Sequence, residues 1–114
     1  MNPASVAEQL AVCARFDAEP VPCDGLKAGV SRSIRSDSQP LHGLRHPLGP
    51  GTSGWFFWTG DLPESDDFFE PVHVDHLEEL RPEVVPYLAL PPGWRILLAP
   101  DYEDVWFDAS LLDI

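Results

Sequence analysis

The sequence predicts an α+β fold: a single domain with a mostly antiparallel sheet of about four to five strands, an N-terminal helix, and one or two short helices before a C-terminal hairpin. Three observations lead there. The chain is 114 residues long, close to the usual size of one domain. A helical apolar period near the N-terminus is followed by strand-like stretches, a short helical segment and two closely spaced aromatic stretches, an order that belongs to α+β architectures. Residues 54–60 read GWFFWTG, a glycine-bounded aromatic strand that must bury at least one face.

Each element has a local reason. In residues 4–18, Val6, Leu10, Cys13 and Ala14 recur at helical spacing, which predicts a short amphipathic helix. Pro20 and Pro22 end it, because proline fixes φ and lacks an amide. In residues 28–35, Val30, Arg32 and Ile34 alternate with Ser31, Ser33 and Arg35, the period of a strand. Residues 36–53 hold Pro40, Gly43, Pro47, Gly49, Pro50 and Gly51 and read as a long loop, with His42, Arg45 and His46 making it the most basic part of the chain. Loops of that length inside compact domains are uncommon and often functional.

After the aromatic strand comes an acidic loop, residues 61–70, carrying Asp61, Glu64, Asp66, Asp67 and Glu70 around Pro63. Residues 72–74 form a short strand, and Asp75 stands where an N-cap belongs, with Glu78 at the capping-box position of a helix over 76–80. A second short helix runs over 82–90, Pro82 being tolerated in a first turn and Pro86 shortening or kinking it. Pro91, Pro92 and Gly93 stop it. Residues 94–99 and 105–107 then pair as an antiparallel hairpin across Pro100, Asp101 and Tyr102.

Composition excludes several classes. Hydrophobic residues make up 44% and aromatics 11%, enough to form a core, so disorder of the whole chain is excluded. The apolar runs are far shorter than the roughly 18 residues that cross a bilayer. No basic residue precedes the first apolar stretch, and Glu8 interrupts it, which argues against a secretory signal and for a cytoplasmic protein. The formal charge is −12, and fourteen of the nineteen acids lie from Asp61 onward, with only Arg81 and Arg95 beside them. That half projects a negative field that repels nucleic acid and anionic membranes and attracts a cationic partner.

Catalytic and metal motifs are weak. Cys13 and Cys23 lack the CxxC spacing of a zinc or redox pair and are expected to be reduced, with Cys13 in the core. His73, Asp75, His76 and Glu79 offer ligand types without a zinc-binding spacing, so no metal or other cofactor is expected. Ser53 in GTSGW precedes its strand instead of following one, unlike a nucleophile elbow. Asp66 and Asp67 sit in a hydrated loop with nothing to split their pKa values. No catalytic residue is expected, and the chain is read as a binding protein. Trp55, Phe57, Trp94 and Ile96 are assigned to the core, while Trp58 and Trp106 are candidates for the opposite faces of their strands. An exposed Trp106 beside Glu103, Asp104 and Asp108 makes a hot spot for a basic partner, the ring supplying buried area and the acids steering. With the acidic loop, the candidate contact residues are Asp61, Glu64, Asp66, Asp67, Glu70, Glu103, Asp104, Trp106 and Asp108.

The order Ser53, Gly54, Trp55, then Gly60 and Asp61, an acidic loop, His76, Leu77, Leu80, Pro82, Val85, Tyr87, Leu88, Pro91, Gly93 and Trp94 resembles the immunity-protein-33 family over about residues 28–108. The SGW strand ending in a GD turn is its most specific part, and the N-terminal helix lies outside it. The resemblance implies a small cytoplasmic α+β protein of a bacterial polymorphic-toxin or contact-competition system, protecting its maker by binding a cognate toxin. It brings no site residues of its own. The charge adds that the toxin is basic, a nuclease being one example, while the edge strands of an open sheet leave room for a monomer or weak dimer. A different reading, an acidic DNA mimic or regulator that binds a nucleic-acid-binding protein, shares the charge and would show itself by carboxylates spaced like phosphates.

Overall fold

The structure is a computed structural model; it describes residues 3–35, 39–60 and 69–113, without the side chains of Ser33 and Arg35. Helix α1 (Pro3–Arg15) is followed by strand β1 (Lys27–Ser31), a 3-10 turn (Arg32–Arg35), β2 (Leu41–Arg45) and β3 (Thr52–Thr59). Then come β4 (Phe69–His73), a 3-10 turn (Val74–His76), the one-turn helix α2 (Leu77–Leu80), a 3-10 segment (Pro82–Tyr87), β5 (Trp94–Ala99), β6 (Tyr102–Phe107) and a last 3-10 turn (Ala109–Leu112).

The α+β class stands, but the sheet has six strands instead of four to five and is mixed, in the order β4-β1-β3-β2-β5-β6. β1 and β3 run parallel and every other neighbouring pair is antiparallel. The parallel pair arises because the chain leaves β1, forms β2 one position further out, and returns through β3 into the gap between them.

The additional strand is β2, inside the stretch expected to be a loop. Gly43 is the reason it was illegible as a strand and the reason it works as one: a Cβ there would lie 2.7 Å from the Phe57 ring and 2.9 Å from Ile96. Bare backbone at that point lets the neighbouring side chains close over it. Arg45, placed in that basic loop, is wholly buried at the end of this strand. The expected strand over 28–35 ends at Ser31, and Ile34 reaches the core from a 3-10 turn. The short strand expected at 72–74 runs Phe69–His73, and Asp75 is not a cap: neither His73 nor His76, the N-cap positions of the turn and of α2, makes a side-chain cap hydrogen bond. With Pro86 inside it, the segment Pro82–Tyr87 is 3-10 and not α-helical.

One face of the sheet carries the core. Ala28, Val30, Leu41, Trp55, Phe57, Ile96 and Leu98 are buried there against Val12, Cys13, Leu77, Val84, Leu88 and Leu90 of the helical layer. Trp55 Nε1 donates to the carbonyl of Leu88 at 2.9 Å. The expected stripe on α1 is rotated: Val6 and Leu10 are exposed while Ser5, Gln9, Val12 and Cys13 are buried, and Ser5 Oγ donates to Glu78 at 3.0 Å. Packing against the Pro82–Tyr87 segment, not the apolar period alone, sets which side of the helix turns inward.

Candidate functional site

The opposite face of the sheet is where the strands bring unexpected residues together. Alternation along a strand sends every second side chain there, and the registers align Pro71, Gly29, Phe56, Leu44, Arg95 and Trp106 in one row across all six strands. Beside it runs a second row in which His42 lies between Trp58 and Leu97, and Leu97 lies opposite Asp104. The described helical elements pack on the core face, except that the C-terminal turn closes one end of this face, where His46 Nδ1 donates to the carbonyl of Leu111 at 2.9 Å. Antiparallel sheets often make the face away from the core polar; this one mixes Arg95, Asp104 and His42 with aromatic and aliphatic side chains.

Ring packing gives the face its relief. His42 stacks on Trp58 at 5.0 Å with the planes 8° apart, and burial draws the His42 pKa down, which keeps the ring neutral and stacked. Trp58 lies on the face opposite Trp55 and Phe57, as expected, and is buried there. Phe69 meets Phe56 and Trp58 edge-on at 5.2 and 6.3 Å. A cleft of about 390 Å³ opens between Gly29, Phe56, Phe69 and Pro71.

The described members of the nine candidate contact residues do not form one patch. Asp61, Glu64, Asp66 and Asp67 lie outside the described residues. Glu70 is on the β4 edge, where Arg32 Nε donates to it at 3.3 Å, at the far side of the sheet from β6. Glu103 points to the helical layer and takes a two-pronged contact from Arg15, 2.5 Å from Nη2 and 3.3 Å from Nη1, together with the Tyr87 hydroxyl. The Arg15 guanidinium, then the Tyr87 hydroxyl, hold the Glu103 carboxyl below the usual carboxylate range. Glu103 therefore ties β6 to α1 and to the Pro82–Tyr87 segment.

Asp104, Trp106 and Asp108 come together. Asp104 is exposed, and Trp106 is half-buried with the Arg95 guanidinium 5.6 Å from its ring centre. Arg95 Nη1 donates to Asp108 at 3.1 Å. Asp108 also caps the last turn, accepting from Ser110 N at 3.0 Å and Ser110 Oγ at 2.6 Å, bonds that lower its pKa, the hydroxyl first and Arg95 after it. The sequence places these three near one another, in and just after β6, but Trp106, expected to be exposed, is half-buried, and Glu103 faces the other way. Sequence reading missed the aromatic rows behind them, whose signal was the alternation of His42 and Leu44 around Gly43.

The chemistry available is that of contact. Among the described residues no three His, Cys, Asp or Glu side chains are placed to hold a metal ion; His73 and His76 meet edge to face at 5.8 Å. Cys13 and Cys23 are both free and buried. Burial raises both thiol pKa values, that of Cys23 to about 11, which removes the thiolate a nucleophile requires. No helix of the described residues is long and apolar enough to cross a membrane.

The fold and this face define a small α+β domain with a helical layer on one side of its sheet and an acid-rimmed aromatic surface on the other. The Imm33-like domain family model matches residues 8–108, starting within α1, and the chain belongs to that family. No curated protein and no solved structure matches it. The family indicates an immunity-type function and, with it, a protein partner.

Proposed function

We propose that this chain is a non-enzymatic immunity protein that binds a cognate bacterial toxin through an acidic surface and neutralises it by occlusion, in the cytoplasm and without a cofactor. The observation that carries the reading is the placement of exposed Asp104 next to half-buried Trp106 on the sheet face opposite the helical layer, within the half of the chain that holds fourteen of the nineteen acids. The toxin is cationic. Opposite fields steer association, and a large aromatic side chain desolvated at the centre of contact slows dissociation. Enzymes acting on nucleic acid carry a positive cleft, so a nuclease toxin fits this chemistry. Asp61, Glu64, Asp66, Asp67 and Glu70 are further acidic candidates for contact with the toxin.

The test is an affinity capture of the tagged protein from its own source cells, eluted along a salt gradient. One basic polypeptide recovered in equal amount, whose toxicity the protein blocks, supports the reading. Loss of capture in the Asp104→Lys and Trp106→Ala variants, or in a double reversal of Asp66 and Asp67, assigns the surface. A housekeeping nucleic-acid-binding protein in place of a toxin turns the assignment to an anionic mimic.

A further inference from the structure

We infer that the outer edge of β6 is a strand-addition site for an extended basic segment of the partner protein; this rests on the reading that the partner is a cationic protein. The two edges of the sheet differ in kind. β4 carries Pro71, and proline is one of the devices that keep a sheet edge from pairing. β6, YEDVWF, has no proline, lysine or bulge, and it pairs with β5 in unbroken register from Ala99↔Tyr102 to Trp94↔Phe107. No strand of the described residues lies beyond it.

The backbone register shows which groups are on offer. Asp108 N donates to the carbonyl of Gly93 at 2.7 Å; peptide groups in an antiparallel pair alternate in direction. Tyr102, Asp104 and Trp106 therefore face β5, and the amides and carbonyls of Glu103, Val105 and Phe107 face outward. The flanking side chains are uncovered on both sides: Tyr102 is 53% and Phe107 50% exposed. Such an edge is a ready template for another strand.

Charge selects the occupant. A second copy would bring another net −12 and set Glu103 and Asp104 near their own counterparts, so self-pairing is opposed. A basic strand meets exposed Asp104 on the face opposite the helical layer. At the hairpin end, Tyr87 and Tyr102 line a cleft of about 310 Å³ with Glu83 and Glu103, carboxylates that Arg81 and Arg15 already contact, so the aromatic rings are what the cleft offers a basic side chain.

The experiment measures backbone amide exchange residue by residue on the full chain, alone and with a short peptide that alternates valine and lysine. The expected result is slowed exchange at Glu103, Val105 and Phe107, no effect from the same peptide with glutamate for lysine, and binding weaker by about tenfold or more in Asp104→Lys. Val105→Pro removes one outward amide without touching the ladder to β5 and abolishes the protection; Asp104→Lys, at an exposed position, serves if that variant does not fold. Protection on β4 or α1, equal binding of the acidic peptide, or protection that grows with protein concentration alone overturns the inference. The same measurement with the captured partner separates the two readings. A partner that leaves these three amides exposed overturns strand addition and leaves the immunity reading standing; peptide protection of these amides with no captured protein supports strand addition and removes the immunity reading.

Discussion

Arg45 Nη1 donates to the carbonyl oxygen of Leu90 at 2.7 Å from a wholly buried position at the end of β2. The same guanidinium donates to Val21 O at 2.8 Å through Nη1 and to Ser53 O at 2.8 Å through Nε. Its recorded partners are backbone carbonyls from three separate segments, which it gathers as a strut between the sheet and the helical layer. Burial lowers its pKa, and it lies 5.8 Å from the Trp55 ring centre.

That strut predicts a large effect from a small change. Arg45→Met keeps the bulk and leaves the carbonyls of Leu90, Val21 and Ser53 without their donor, for a loss of about 3 kcal/mol, since each orphaned buried acceptor costs about 1–3 kcal/mol. Arg45→Lys recovers only part, because a single ammonium cannot reproduce the planar fork. Urea unfolding of the three proteins measures both. A loss within 0.5 kcal/mol for the methionine variant (about the noise of a surface change) rejects the strut.

Gly43→Ala tests the missed strand. Its Cβ would stand 2.7 Å from the Phe57 ring and 2.9 Å from Ile96, and overpacking of this kind costs about 1–3 kcal/mol. Phe57→Leu is destabilising alone yet partly rescues the alanine, so a double-mutant cycle returns a favourable coupling. Simple additivity of the two changes would mean that β2 is not held against Phe57 in this way.

The acid limb of stability belongs to Glu103 and Asp108. Both carboxyls have folded pKa values lowered below the unfolded ones, by Arg15 and Tyr87 for Glu103 and by Ser110 and Arg95 for Asp108. A depressed carboxyl contributes stability that is present above the unfolded value, about 4.3 for Glu and 3.9 for Asp, and is lost as pH falls through the folded value. Thermal melts from pH 7 down to about 2 are expected to show the wild type losing stability in that window. Glu103→Gln is less stable than wild type at neutral pH and flatter on the acid side. Parallel curves for the two proteins would disprove the linkage.

Cys13 and Cys23 are expected to resist alkylation in the folded protein near neutral pH. Burial raises both pKa values, Cys23 to about 11, so neither shields from nor supplies a thiolate. Mass spectrometry after brief iodoacetamide treatment is expected to find no adduct in buffer and two in denaturant. Rapid native labelling of either would place that thiol at the surface.

Chain order and period by themselves determined the α+β class, the aromatic strand around Trp55 and Phe57, the β5–β6 hairpin and the acidic bias of the C-terminal half. Those features are local: an alternation, a turn or a run of like charge is complete within a few residues. Tertiary structure decided the rest. Gly43 reads as a loop breaker until Phe57 and Ile96 are known to pass over it, and Arg45 reads as one charge of a basic loop until the carbonyls of Val21, Ser53, Leu88 and Leu90 surround it. Glu103 and Asp104 are adjacent in sequence and equal in charge, yet the strand sends one to Arg15 and Tyr87 and leaves the other to solvent. The two aromatic rows exist only because six strands from all along the chain share one register. Local sequence carries the preference of each segment; which side chains meet across the sheet is settled by long-range packing, where burial and hydrogen-bond satisfaction outweigh local propensity.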